Sequence, residues 1–269
     1  MPKWSVNLNL LAYADDTIIF ASADKLSLEL NMNVLRDYEK LSGQLINREK
    51  SFFYMLLKSE VQLCQEVEQV TGFKRGMFPF KYLGCPIFHF RKRKFYYYDL
   101  IKRVNDRLQN WKGKLLSFGG KAVLINSVLQ SMPMYLLSAM APTTYTLNEL
   151  HKIFARFYWS NKYGNGRQSV GFESVRSKSE GGLGFRSLFD VSKALFTKLW
   201  WRFRTSGTLW STFMWNKYCK KHITTSVQWK EGSQLWKKML ESRDAIKGEI
   251  CVQEAADVME NGTWNYQTL

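Results

Sequence analysis

Residues 8–20 read Leu8-Asn9-Leu10-Leu11-Ala12-Tyr13-Ala14-Asp15-Asp16-Thr17-Ile18-Ile19-Phe20. Two short apolar runs rich in strand formers flank Ala-Asp-Asp, so the stretch predicts a β-hairpin with the acidic pair at its tip. Adjacent carboxylates on a tight turn can reach a divalent cation without unfolding a core. Two-metal nucleotidyl transfer needs such carboxylates, one ion activating a 3′-hydroxyl and the other steadying the leaving pyrophosphate. Asp-Asp is also favoured at turns by local hydrogen bonding alone. The tetrapeptide Tyr13-Ala14-Asp15-Asp16 therefore takes its meaning from its surroundings.

Outward from the hairpin, Ser27–Leu41 sets Leu28, Met32, Leu35 and Tyr38 or Glu39 at helical spacing and stops before Gly43. Ser51–Leu57 is strand-like, and Val61–Val70 reads as a short helix ending near Gly72. Phe78–Phe88 reads as a strand pair broken at Gly84 and Pro86. The pattern then turns helical. Ile101, Val104, Leu108 and Trp111 form one apolar stripe, and Gly119-Gly120 divides that helix from the next, over 121–130. Thr146-Leu147-Asn148-Glu149 is a capping-box sequence opening a helix with Leu150, Ile153, Phe154 and Phe157 inward. Residues 160–179 read as a loop. A helix follows over Leu188–Phe203 with Leu195, Leu199 and Trp200 on one side, then shorter pieces near 209–218 and 235–243.

Charge narrows the function. Lys and Arg number 39 against 23 Asp and Glu, a net charge of +16 and a pI near 9.6. Such a balance favours a polyanionic partner, and nucleic acid outranks a membrane because no basic amphipathic anchor stands out. Between Arg91 and Lys121 lie ten basic residues and only two acidic ones, interleaved with Phe95, Tyr96, Tyr97, Tyr98 and Trp111. Arg91, Lys92, Arg93, Lys94, Lys102, Arg103, Lys112, Lys114 and Lys121 are the candidate phosphate contacts. The run Arg91–Lys94 reads equally as a nuclear-localisation-like signal or a solvated loop. Ile101, Val104, Leu108 and Trp111 are core.

With 45% hydrophobic and 15% aromatic residues in 269, the chain can bury a core. No run of about 18 apolar residues suggests a membrane span, and Met1–Asn7 lacks the pattern of a secretory signal. Cys64, Cys85, Cys219 and Cys251 are widely spaced, and only Cys219 and His222 lie close, as half a metal site. Reduced thiols in a cytoplasmic or nuclear protein are expected.

Leu11-Ala12-Tyr13-Ala14-Asp15-Asp16-Thr17-Ile18-Ile19-Phe20 resembles the catalytic hairpin of reverse transcriptases of LINE-type non-LTR retrotransposons, plant ones especially. The stretch from Tyr38 to Ser51, with Leu45-Ile46-Asn47-Arg48-Glu49-Lys50, is similar to that family's next palm motif. Tyr82-Leu83-Gly84-Cys85-Pro86 resembles its primer-gripping hairpin. Trp111–Lys121, Val123-Leu124-Ile125 and Met132-Pro133-Met134-Tyr135 resemble the thumb, and Glu180–Leu188 the block after it.

The resemblance implies an α+β fold: a partial polymerase palm of short antiparallel strands with helix (residues 1–90, including the primer-grip hairpin), a helical thumb (91–160) and a helical tail (161–269). It implies Asp15 and Asp16 as ligands of Mg2+ or Mn2+, Lys50 as a neutraliser of the leaving pyrophosphate, and Tyr82, Leu83 and Gly84 as primer grip. Lys50 reads equally as an exposed surface lysine. The implied partners are an RNA template and a DNA primer, with a deoxynucleoside triphosphate as substrate. The family also carries fingers and an earlier palm strand with a further metal-binding aspartate, whereas Asp24 and Glu29 follow the hairpin. The chain alone is therefore expected to be inactive, and the alternative is a non-catalytic nucleic-acid-binding protein using residues 91–121. The segment 162–179 looks shortened relative to the family, and Gly262-Thr263-Trp264-Asn265 resembles a block that normally lies farther on.

Overall fold

A computed structural model describes residues 8–88, 94–111, 116–160, 184–220, 224, 226–229, 232–249, 259–260 and 263–264. The fold is α+β, and the chain divides into two compact units at Arg91.

The first unit opens with the expected hairpin. Strands β1 (Leu10–Tyr13) and β2 (Asp16–Ile19) pair antiparallel with Tyr13 opposite Asp16. Ala14 takes a left-handed φ of 52°, as the first central residue of a type II′ turn requires. They form a two-stranded sheet, and Leu10, Leu11 and Tyr13 are exposed.

Helix α1 (Lys25–Ser42) is bounded by local chemistry at both ends. Asp24 accepts from the Ser27 N–H at 2.8 Å, and Gly43 closes the helix at φ 71°. Hydrogen bonds from Ser22 first, then Ser27, hold the Asp24 carboxyl down at about 2. Helix α2 (Val61–Thr71) ends the same way at Gly72, φ 70°. The two helices pack together, with Leu28 and Met32 of α1 and Cys64 and Val67 of α2 buried.

The strand expected over 51–57 shrinks to β3 (Phe52–Phe53), paired in parallel with β4 (Lys74–Arg75). Beside it Tyr54 stacks on Phe80 at 3.9 Å, with Phe78 tilted against both rings. Strands β5 (Phe80–Tyr82) and β6 (Cys85–Ile87) form a second hairpin. Pro86 does not break it. It lies within β6 opposite Lys81, and a two-stranded sheet is all edge, where a missing N–H costs nothing.

The second unit is helical. A 3₁₀ turn (Lys94–Tyr97) leads into α3 (Tyr98–Gln109), followed by α4 (Phe118–Leu124), a π-helical turn (Ile125–Leu129), α5 (Met134–Ala139) and α6 (Thr144–Trp159). Then come α7 (Leu188–Thr205), α8 (Leu209–Met214) with a π-helical extension (Trp215–Cys219), α9 (Gln234–Glu249) and a short pair, β7 (Met259–Glu260) and β8 (Thr263–Trp264). The regions read separately as 91–160 and 161–269 both fall in this unit.

Several boundaries and faces differ from the sequence reading. Gly119 and Gly120 lie inside α4, because Ser117 caps the helix and accepts from the Gly120 N–H at 3.1 Å. Thr143, not Thr146, caps α6, accepting from the Thr146 N–H at 3.2 Å. On α3 the buried stripe is Leu100, Val104 and Leu108; Ile101 and Trp111 are half-buried at its margin. On α7 it is Leu188, Ser192, Phe196, Trp200 and Phe203, with Leu195 and Leu199 flanking.

The core of the second unit joins α7 to α9 through Phe196, Trp200, Phe203, Trp236, Met239 and Leu240. Arg243 of α9, only 7% exposed, is satisfied on every side. It donates to the carbonyls of Val227 and Thr224 (3.3 Å for the latter) and pairs with Asp244 at 2.7 Å. Burial pushes the nearby Cys219 thiol up to about 11 against a weaker opposing pull from Arg243, which leaves it an unreactive core group. Cys64, Cys85 and Cys219 are free thiols; Cys251 and His222 lie outside the described residues.

Candidate functional site

The β1–β2 turn places Asp15 and Asp16 at an exposed tip. Asp15 is the second turn residue and Asp16 the first of β2, so the hairpin carries both carboxylates at its exposed end. A positive φ is disfavoured for alanine, and Ala14 holds one beside the acidic pair. Strain retained next to exposed carboxylates fits a turn kept for its shape.

Magnesium binds through one or two carboxylates and completes its octahedron with waters and substrate phosphates. Asp15 and Asp16 suit that share of the sphere. Among the described residues no group of three or more His, Cys, Asp or Glu is placed to hold a metal. Asp15 and Asp16 would supply at most two ligands to such an ion.

Lys50 lies on an exposed turn whose backbone is fixed by Asn47; the N–H groups of Glu49 and Lys50 both donate to its Oδ1 at 3.1 Å. The primer-grip candidates form the β5–β6 turn. Leu83 at φ 48° and Gly84 at φ 75° give the type I′ geometry, with Tyr82 opposite Cys85. Leucine is disfavoured at positive φ, so this tip too is held against local preference. The two hairpins are separate two-stranded sheets.

Of the basic candidates, Arg91, Lys92, Arg93, Lys112 and Lys114 lie outside the described residues. The resemblance blocks at 180–183 and around 262–265 fall there too, apart from Thr263 and Trp264. Lys102 and Arg103 project from the exposed side of α3, where Arg103 Nε also donates to the Asp99 carbonyl at 3.4 Å. Arg107, on the same exposed side, lies 5.9 Å from the Trp111 ring. Lys94 sits over the Tyr145 ring at 3.9 Å. Lys94 and Arg107 stay near aromatic surface, and all four cations are exposed.

Lys121 differs. Its Nζ donates to the Ser160 carbonyl and, at 3.2 Å, to Ser160 Oγ, capping the carboxyl end of α6. Burial lowers its pKa. The geometry engages this lysine inside the unit, and its spacing from other cations gave no sign of that.

Two features escaped sequence reasoning. His151 is a buried acceptor: its Nε2 takes the Leu188 N–H at 2.9 Å, satisfying an otherwise orphaned donor at the start of α7. Burial lowers its pKa, opposed by the nearby Asp190 carboxylate. The outer side of α7 carries Lys193, Lys198, Trp201 and Arg202, all exposed, with Asp190, Lys193, Ala194, Thr197, Lys198 and Trp201 lining an open groove. Projecting Leu188–Phe203 onto a helix would have shown that basic, aromatic side.

Sequence comparison finds similarity to a transposon protein and to a protein named for ribonuclease H. Over 182 residues, 65% of its length, it is 29% identical to the 149 kDa protein of transposon TX1 from Xenopus laevis, matching 13% of that protein. Over 136 residues, 49% of its length, it is 32% identical to an Arabidopsis thaliana protein named "Putative ribonuclease H protein", matching 22% of it. The chain thus spans less than a quarter of either relative. No protein-family model matches it. Among the described residues no helix is long and apolar enough to cross a membrane.

Proposed function

We propose that the chain is the palm-tip and thumb part of a retrotransposon reverse transcriptase. In this reading Asp15 and Asp16 contribute ligands for Mg2+ or Mn2+, Lys50 faces the leaving pyrophosphate, Tyr82–Gly84 grip the primer strand, and the basic side of α3 follows the phosphates of a primer–template duplex. The observation that carries it is the hairpin, which sets two consecutive carboxylates, both exposed, at a two-residue turn held at a positive φ. Similarity to a transposon protein over 65% of the chain supports the setting, and the name of the Arabidopsis relative fits a nucleic-acid partner.

A second reading, non-catalytic binding of nucleic acid through residues 91–121, is favoured by the exposed Lys102, Arg103 and Arg107 on one side of α3. Binding and extension separate the two. An RNA template annealed to a DNA primer should bind with steep salt dependence, and affinity that is absent or salt-insensitive overturns both readings. With nucleotides and Mg2+ or Mn2+ added, the chain alone is expected not to extend the primer, because two carboxylates leave the metal geometry incomplete. Extension that disappears in the Asp15→Ala, Asp16→Ala variant would refute that inactivity and eliminate the non-catalytic reading.

A further inference from the structure

Helix α1 is apolar on two sides. Leu28 and Met32 face α2, as an amphipathic helix requires. Leu26, Leu30, Val34, Tyr38 and Leu41, at steps of four, four, four and three, line up along a second side. All five are exposed, the least so Tyr38 at 51% and the most Leu41 at 89%. A stripe of this kind, interrupted by Asp37, marks an interaction surface.

We propose that this outer side of α1 is a self-association surface on which the α1 of a second copy docks antiparallel about a two-fold axis. Charge on the flank selects that occupant. Glu29 and Lys40 lie along the same margin of the stripe, and an axis between Val34 and Leu35 leaves each of them five residues away. In an antiparallel helix pair like flanks meet, so Glu29 of each copy faces Lys40 of the other, and the complementary contact forms twice. The apolar residues come together in the same register, Leu30 near Tyr38 and Val34 near its counterpart. Among the described residues these charges have exposed partners within one copy, Lys25 at 3.9 Å from Glu29 and Asp37 at 3.5 Å from Lys40. Such pairs are weak. Asp37 lies within the stripe, between Leu30 and Leu41, and stays beside Lys40, which then lies between two carboxylates. A nucleic acid would gain nothing from a leucine stripe whose one charge is a carboxylate.

The test is sedimentation equilibrium of the full chain, freed of nucleic acid, over about 1–100 µM. A reversible monomer–dimer equilibrium is expected. Leu30→Glu with Val34→Glu should weaken it about tenfold or more, since charge then enters the apolar seam. Glu29→Lys and Lys40→Glu should each weaken it about fivefold, and the double reversal should restore it to within about twofold, because the swapped pair faces itself again. Far-UV circular dichroism confirms that the variants keep their helices. A chain monomeric throughout that range, a dimer indifferent to the leucine and valine changes, or charge reversals without mutual rescue would each overturn the proposal.

Discussion

His151 offers the clearest energetic test of the helical unit. Replacing it with alanine leaves the Leu188 N–H buried without its acceptor and removes a ring packed edge-on against Phe189 at 5.5 Å. An orphaned buried donor costs about 1–3 kcal/mol, and the lost ring contact adds about 1 kcal/mol, so about 2–4 kcal/mol is expected. For a unit of this size that lowers Tm by roughly 5–15 °C. The pH dependence carries a definite sign. His151 accepts a hydrogen bond at Nε2, so the folded state favours the neutral ring, and burial lowers its pKa below the usual 6.5. The unfolded chain then binds the proton more readily. The contribution is complete above about pH 6.5 and declines as pH falls toward the lowered folded value. His151→Gln keeps an acceptor without a titration and should flatten that decline. Urea melts of wild type, His151→Ala and His151→Gln between about pH 5 and 8 decide it. An alanine variant within about 0.5 kcal/mol of wild type, or a glutamine variant with an unchanged pH slope, would refute the reasoning.

Arg243→Met should destabilise the same unit by about 2–5 kcal/mol, because the Thr224 and Val227 carbonyls lose their donor; chemical denaturation measures it. Lys102→Glu and Arg103→Glu should each weaken nucleic-acid binding and reduce its logarithmic salt slope by about 1 or more, with no loss of stability. Lys121→Glu should instead lower the melting temperature, since its ammonium caps α6; unchanged stability would contradict that assignment. Gly76→Ala should destabilise the first unit, as a Cβ there would overlap the Tyr54 ring stacked on Phe80, and near-ultraviolet circular dichroism would register the displaced rings.

What was legible in the sequence follows from how local each signal is. The hairpin at 8–20, the stop of α1 at Gly43 and that of α2 at Gly72 depend on a few adjacent residues, and the structure has all three. Gly119-Gly120 misled because glycine usually ends helices, but in a first turn capped by Ser117 it costs little. The capping box at Thr146 competed with Thr143, whose hydroxyl reaches the same helix start from one turn earlier. Face assignment slipped by one residue on α3, where Leu100 rather than Ile101 is buried, and on α7, where Phe196 rather than Leu195 joins Trp200 in the core. Periodicity alone does not say which of two adjacent apolar residues packs inward. The acidic tip of the site was visible, since turn chemistry is local. The capping roles of Lys121 and His151 were not, since their partners Ser160 and Leu188 lie 39 and 37 residues away.

The acidic turn can be probed through Mn2+ in an NMR titration of the full chain bound to primer–template. Paramagnetic broadening should begin at the amides of Tyr13 to Thr17 and vanish in the Asp15→Asn, Asp16→Asn variant. Broadening that spares this tip, or that persists without the two carboxylates, would contradict a polymerase metal site here.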